Sequence, residues 1–225
     1  MFAAEDLKLP DYGAQLFAGA AKPILDDLIG ALASHDRMIA GSRVAGDPNM
    51  GRVLSESQEV GSMVAQLVGA KSKPVRAILF DKNERNNWAL GWHQDRTICV
   101  MHRIDTPGFG RWTTKQGLTH VEPPFALLER MVTLRIHLDP VDASNAPLLI
   151  APRSHSWGRI SEQEVSAVVA ECGQFTCLAA AGDIWAYATP ILHASNRSTA
   201  GTRRRVLQVD YSADDLPNGL EWLGL

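Results

Sequence analysis

The sequence predicts a mainly β protein with helices packed against it, a helical layer on a β-sandwich or barrel. Three observations predict this. Helical periodicity dominates the first 70 residues, short apolar runs separated by turn residues follow from Lys71 onward, and some of those runs are polar on one face. With 225 residues, 45% hydrophobic and 21% charged, the chain can bury a sizeable core at ordinary globular composition.

The first helix is expected within LFAGAAKPILDDLIGALASH. There Leu16, Phe17, Ala20, Ile24, Leu25, Leu28, Ile29 and Leu32 recur on one face, and Pro23 interrupts or starts the helix. GSRVAGDPNMGR reads as a Gly-rich loop with an Asp-Pro turn signal. Ser57 is expected to cap a second helix, carried by Val60, Met63, Val64, Leu67 and Val68 and ended by Gly69. VRAILF, TICVM, MVTLRIHL, LLIAP, FTCLA, DIWAYA, ILHAS and RRVLQVDYS then read as strands, with SEQEVSAVVAEC as a helix among them. In VTLRIHL a period of two puts Val132, Leu134, Ile136 and Leu138 on one face and Thr133, Arg135 and His137 on the other. That polar face is either a solvated sheet surface or the polar interior of a barrel.

The totals exclude several classes. A formal net charge of −3 gives no basic field for nucleic acid, and no stretch reaches the length of a membrane span. Cys99, Cys172 and Cys177 are odd in number and lack CxxC spacing, which argues for a reducing compartment over a disulfide framework or zinc knuckle. MFAAEDLKLPDYG lacks the apolar centre of a secretory signal. A soluble cytoplasmic protein is expected.

The chemistry starts at GWHQDRT. His93 and Asp95 share parity, so on a strand both side chains point the same way, as two ligands of one metal must. Alone the pair is a weak signal and needs a third ligand. Among the other histidines, His137 on the polar strand face is one rival. His193, in TPILHASNRS, stands just ahead of the arginine-rich strand TRRRVLQVDY. Alternation turns Arg204 away from Arg203 and Arg205, so one arginine can face inward, where it needs an anionic partner. Two histidines and a carboxylate form the facial triad of non-haem Fe(II) oxygenases, and a deep arginine beside it suits a carboxylate co-substrate.

WHQD, NAPLLIAPRSHSWG, GDIWAYATPILHASN and RRRVLQVDYS together resemble the phytanoyl-CoA dioxygenase family of Fe(II)/2-oxoglutarate oxygenases. The resemblance covers most of residues 78–211. It implies one oxygenase domain over 1–225, with a helical N-terminal layer over 1–70 and a double-stranded β-helix, a jelly-roll or cupin-like core, over 71–215. It also implies that His93, Asp95 and His193 hold Fe(II), and that Arg204 and Ser195 bind 2-oxoglutarate. Ile78 and Arg135 fall at further co-substrate positions, Arg135 in place of an aromatic residue seen in some members. With O2, the expected reaction hydroxylates an unactivated C–H bond of a small substrate and releases succinate and CO2. Two turns depart from the family pattern, because Ala146 and Arg153 stand where glycine is typical.

The substrate is less legible. Arg96, Arg103, Arg111 and Lys115 favour an anionic substrate if they line the cavity mouth, and RIDTPGFGRWTTKQGLTHVEPP is a candidate lid. Trp92, Trp185 and Tyr187 could keep the site dry or simply fill the core. Two rival readings keep the barrel: a cupin-like oxygenase or isomerase that does not use 2-oxoglutarate, and a metal-free ligand-binding barrel. A hydrolase lacks its G-x-S-x-G elbow.

Overall fold

The structure is a computed structural model and describes residues 3–35, 39, 41–55 and 58–225. The chain enters through α1 (Leu9–Tyr12) and β1 (Ala14–Phe17), followed by α2 (Leu25–Ala31), β2 (Ser42–Val44), α3 (Pro48–Val53) and α4 (Glu59–Val68). The strands β3 (Lys73–Lys82), β4 (Leu90–His93), β5 (Ile98–Val100), β6 (Gly110–Lys115) and β7 (Leu118–Glu122) come next. After α5 (Phe125–Glu129) come β8 (Val132–His137) and β9 (Leu148–Ile150). Helix α6 (Val165–Cys172) then precedes β10 (Phe175–Cys177), β11 (Ile184–Ala188), β12 (His193–Ser195) and β13 (Arg204–Ser212).

Residues 1–70 were expected to be a helical layer, yet they also supply both edge strands of the largest sheet. Gly13, at φ +75°, ends α1 and turns the chain into β1. A side chain there would collide with His155, whose Nδ1 lies 2.4 Å from the position a Cβ would take. Leu16 and Phe17 therefore belong to a strand, and the first long helix begins only after the 3-10 turn at Pro23. The expected loop at GSRVAGDPNMGR holds β2 and α3. Asp47 caps α3 by accepting from the Asn49 and Met50 amides, and Pro48 at the first helical position needs no partner for the N–H it lacks. Helix α4 ends at Gly69 as expected, while the capping role given to Ser57 lies outside the described residues.

The strands form a six-stranded sheet in the order β1-β11-β8-β13-β3-β2, a four-stranded sheet β10-β9-β12-β4, and a three-stranded sheet β5-β7-β6. All pairs are antiparallel. The first two face one another as the double-stranded β-helix. Leu148, Ile150 and Cys177 from the smaller sheet pack with Trp185 and Tyr187 from the larger.

The outer face of the larger sheet presents Ala77, Leu79, Leu134, Ile136, Ile184, Ala186, Leu207 and Val209 to α2, α3 and α4. Leu28, Met50, Val60 and Val64 cover it, and this buried layer is the main core. The inner face of the same strands carries Arg76, Lys82, Thr133, Arg135, His137, Arg204, Gln208 and Asp210, all buried. Of the two expectations for the polar face of β8, the barrel interior is the one realised. Among the described residues no helix is long and apolar enough to cross a membrane.

Both turns that depart from the family pattern keep a glycine-like backbone, with φ +64° at Ala146 and +71° at Arg153. A non-glycine residue there is strained by roughly 1–2 kcal/mol. Arg153 recovers part of that cost by stacking over the Tyr12 ring at 4.7 Å. Ala146→Gly is therefore expected to stabilise the protein by about 1 kcal/mol, read as a higher urea midpoint at unchanged slope.

Candidate active site

Strand β4 ends at His93, and β12 begins at His193. The pairing sets these two residues opposite one another, with ring centroids 4.3 Å apart. Each ring is oriented from behind. His93 Nδ1 donates to the Gly91 carbonyl at 2.7 Å and His193 Nδ1 to the Ile191 carbonyl at 3.0 Å. A carbonyl can only accept, so the proton sits on Nδ1 and Nε2 keeps its lone pair, the form a metal takes. His193 is buried, and burial followed by the neighbouring His93 pushes its pKa down to about 4, which keeps it neutral.

Asp95 lies beyond the end of β4, so the expected alternation along a strand is not what turns it toward His93. Gln94 does this work. Its amide donates to the Gly158 and Pro190 carbonyls at 2.9 and 2.8 Å, and its oxygen accepts from the Ile160 amide at 2.9 Å. This pins the segment with Asp95 turned inward. One ligand atom from each of His93, Asp95 and His193 falls within 4.8 Å of the others. Two imidazoles with free lone pairs and one carboxylate fit a divalent metal of the facial-triad kind.

The Asp95 carboxylate has fixed surroundings. Its Oδ2 accepts from Gln208 Nε2 at 3.3 Å and pairs with Arg76 Nη2 at 3.5 Å. Arg76 is itself anchored through Nε to buried Asp210, which also accepts from Thr133 at 3.1 Å. Burial opposes ionisation of Asp95, but Arg76, the two histidines and Gln208 outweigh it and hold the carboxyl below its ordinary range.

The triad opens into a cavity whose lining includes His93, Asp95, His193, Arg204, Ser195, Arg135 and Ile78, the seven site residues expected from the sequence. Arg204 is 1% exposed, while Arg203 and Arg205 turn outward to Asp81 and Asp139, each at 2.7 Å. Arg204 Nη1 donates to the Ala146 carbonyl at 2.6 Å, and its Nε has no partner. Arg135 donates to Gln208 Oε1 at 3.1 Å and lies over the Phe80 ring at 4.9 Å, also with Nε unpartnered.

Sequence reasoning missed Lys82, whose ammonium donates to Ser195 Oγ at 3.0 Å and to the Asn196 carbonyl. Its signal was its period-two spacing from Ile78 on β3. Gln208 was missed in the same way, as it shares the face of Arg204 on β13.

Other expectations moved. His137 is buried beside Arg135 and Arg204, which together with burial lower its pKa to about 3. Neither of its ring nitrogens has a partner, and it stands outside the triad. His120, taken for a loop residue, is fully buried on β7, with Nδ1 against the Leu118 carbonyl. The candidate lid is mostly the β6–β7 hairpin, paired with β5, and contributes nothing to the cavity lining. Arg96, Arg103, Arg111 and Lys115 are absent from that lining too, and Arg96 donates to the Ile160 carbonyl. An apolar wall of Phe80, Trp88, Leu90 and Leu148 stands in their place.

The model of the family described as Phytanoyl-CoA dioxygenase (PhyH) matches residues 30–206. The chain belongs to the phytanoyl-CoA dioxygenase family. Solved structures agree in fold. HygX from Streptomyces hygroscopicus, with nickel and 2-oxoglutarate bound, shares 12% identity over 91% of this chain and 84% of its own, at a TM-score of 0.61. EctD from S. alaskensis, with bound Fe, shares 15% over 94% and 76%, at 0.64. The epimerase SnoN, in complex with Fe3+, alpha ketoglutarate and nogalamycin RO, shares 15% over 94% and 88%, at 0.63. A comparison with curated proteins finds no match.

In this phytanoyl-CoA dioxygenase family member three cations, Lys82, Arg135 and Arg204, meet in one cavity with no carboxylate in ion-pair contact among the described residues. Burial, then Arg204 and Arg135, push the Lys82 ammonium from 10.5 down to about 7. Between those values the unfolded chain holds more protons than the folded one, so this group makes ligand-free stability rise with pH from about 7 toward about 10. Lys82→Met is expected to flatten that rise, with the largest gain in urea midpoint near pH 6, where the wild type carries the buried charge.

Proposed function

We propose that this chain is an Fe(II)/2-oxoglutarate-dependent dioxygenase. In this reading it hydroxylates an unactivated C–H bond of a small substrate, with release of succinate and CO2. One observation carries the reading: a metal-competent triad and a buried arginine without a carboxylate partner share one cavity. The family membership and the iron and 2-oxoglutarate bound by HygX, EctD and SnoN support it.

His93, Asp95 and His193 would hold the iron. When bound, iron with 2-oxoglutarate and O2 supplies the oxidising power, and the chain supplies position and charge. Arg204 would hold the far carboxylate of 2-oxoglutarate, with Lys82 and Ser195 beside it. Gln208 and Arg76 occupy Asp95 Oδ2, which leaves Oδ1 as the less encumbered oxygen for the metal. The carboxylate ligand also fills the position that a halide would need, which favours oxygen transfer over halogenation.

Phe80, Trp88, Leu90 and Leu148 form the side of the cavity on which a substrate would rest an apolar portion. Leu90 is 44% exposed, so that wall reaches solvent. HygX with hygromycin B and SnoN with nogalamycin RO bind elaborate small molecules, and a small-molecule substrate is inferred here. The whole chain, 1–225, acts as one oxygenase unit in this proposal.

The test is anaerobic reconstitution with Fe(II), then succinate release from 2-oxoglutarate under air. Wild-type protein should release succinate, and His93→Ala and His193→Ala should bind no Fe(II) and release none. Arg204→Leu should raise the KM for 2-oxoglutarate roughly 30-fold or more, since losing one member of a buried charge pair costs about 2–5 kcal/mol. Wild-type protein that binds Fe(II) but neither binds nor consumes 2-oxoglutarate would overturn the proposal.

A further inference from the structure

Asp95 is not the only carboxylate beside Arg76. Asp210, 1% exposed on β13, stands opposite Arg76 on β3 and Thr133 on β8, so the three side chains form one row across the inner face of the large sheet. Asp210 Oδ2 accepts from Arg76 Nε at 2.5 Å, and its Oδ1 accepts from Thr133 at 3.1 Å. It belongs neither to the triad nor to the cavity lining. Burying a carboxylate is costly, so its place behind the metal ligand calls for a reason.

Arg76 divides its donors unequally. Its Nε makes the short contact with Asp210, and its Nη1 donates to the Thr97 carbonyl at 3.2 Å. Its Nη2 stands 3.5 Å from Asp95 Oδ2 and has no hydrogen-bond partner. The arginine is thus bonded to Asp210 and only near Asp95. Thr97 closes the irregular segment 94–97 between β4 and β5, so Arg76 holds the chain on one side of Asp95 while Gln94 holds it on the other. The charges add a second effect. Arg76 and Asp95 alone would cancel, and a dication would have to displace the guanidinium to gain a charged ligand. With Asp210 included, the three groups carry a net charge of −1, which remains for the metal.

We propose that Asp210 is a positioning residue for the metal site. It holds Arg76 back from Asp95, so that the arginine orients the carboxylate without consuming it. The inference rests on the reading of His93, Asp95 and His193 as metal ligands and is independent of the co-substrate. Without the Asp210 charge, Arg76 keeps its proton and closes on the carboxylate it already stands beside. The metal then competes with a guanidinium for Asp95.

The experiment is a double-mutant cycle read as Ni(II) affinity, by calorimetric titration of the untagged full chain after chelator treatment. Nickel reports binding without turnover, and loss of binding in His93→Ala places it at the triad. Asp210→Asn keeps the side-chain shape and removes the charge. It is expected to weaken Ni(II) binding at least about tenfold, the factor that one charge-assisted contact supplies. In an Arg76→Gln background the same change is expected to alter affinity by less than about twofold, because the group through which it acts is gone. A carboxylate that attracted the metal through space would cost the same factor in both backgrounds. One that only supported the fold would lower the melting temperature and leave the affinity alone. If Arg76→Gln by itself does not fold, the double variant carries the test. It should bind Ni(II) more tightly than Asp210→Asn, since no released arginine then competes for Asp95.

Unchanged affinity in folded Asp210→Asn, an equal loss in both backgrounds, or a double variant that binds no better than Asp210→Asn would each overturn the proposal. Wild-type protein that binds Ni(II) with these variants unaltered sinks this inference alone. Wild-type protein that binds no Ni(II) sinks the metal site, and the oxygenase reading with it.

Discussion

Strand β13 lies between β8 and β3, and its register decides which side chains meet inside the barrel. Directly paired residues of an antiparallel ladder share a face. Arg204 therefore meets Lys82, Gln208 meets both Ile78 and Arg135, and Asp210 meets Arg76 and Thr133. A slip of one residue would turn Leu207 and Val209 into the cavity and present arginines to the helices. The apolar layer under α2, α3 and α4 forbids that slip. Arg203 and Arg205 oppose it from the other side, since they reach Asp81 and Asp139 only in this register. Such partly exposed ion pairs contribute little stability, so their value is in alignment.

The same register gathers positive charge that the folded chain does not neutralise. A buried cation without an ion-paired carboxylate costs free energy, and the three cations repel one another. The effect reaches each group in the cluster: Arg204 is drawn down to about 9 by burial and by Arg135, and His137 stays neutral beside them. The apolar outer face of the sheet offsets this cost, because the helices bury it against the opposite side of the very strands that carry the charges. One sheet thus divides the labour, with stability on its outer face and an unfilled electrostatic demand on its inner face. Local rules of good packing are broken where a ligand completes them.

Much of this was legible in the sequence for a simple reason. A period of two is visible in any strand long enough to show it, and β8 and β13 are long. Arg204 could be separated from Arg203 and Arg205 by parity alone, and the apolar row of β8 marked the helix-facing side. Legibility failed where tertiary contacts override a local pattern. Asp95 shares parity with His93, yet it lies past the strand end and owes its direction to the three hydrogen bonds of Gln94. Leu16 and Phe17 fit a helical stripe, but glycine turns on either side place them in an edge strand paired with β11. Asp47-Pro48 served as a helix cap, although the same dipeptide also starts turns. Lys82 went unnoticed because a lysine at a strand end usually reaches solvent, and only the fold shows that Ser195 and Asn196 close over it.

Gln208 joins the two halves of the site, and the chemistry of its neighbours fixes its orientation. Its Oε1 faces Arg135 Nη1 at 3.1 Å and the Tyr187 hydroxyl at 3.3 Å, while its Nε2 faces Asp95 Oδ2 at 3.3 Å. A guanidinium can only donate and a carboxylate can only accept, so the amide cannot turn over without losing both contacts. A glutamate in its place would set a second negative charge against Asp95, and a hydrophobic residue would remove the amide oxygen that accepts from Arg135. An amide is the side chain that meets a cation with one end and a carboxylate with the other at no net charge. Through it, the position of Arg135 in the cation cluster and the position of Asp95 in the triad are parts of one hydrogen-bonded arrangement. Filling the cavity with a dicarboxylate would thus bear directly on the geometry of the metal ligand.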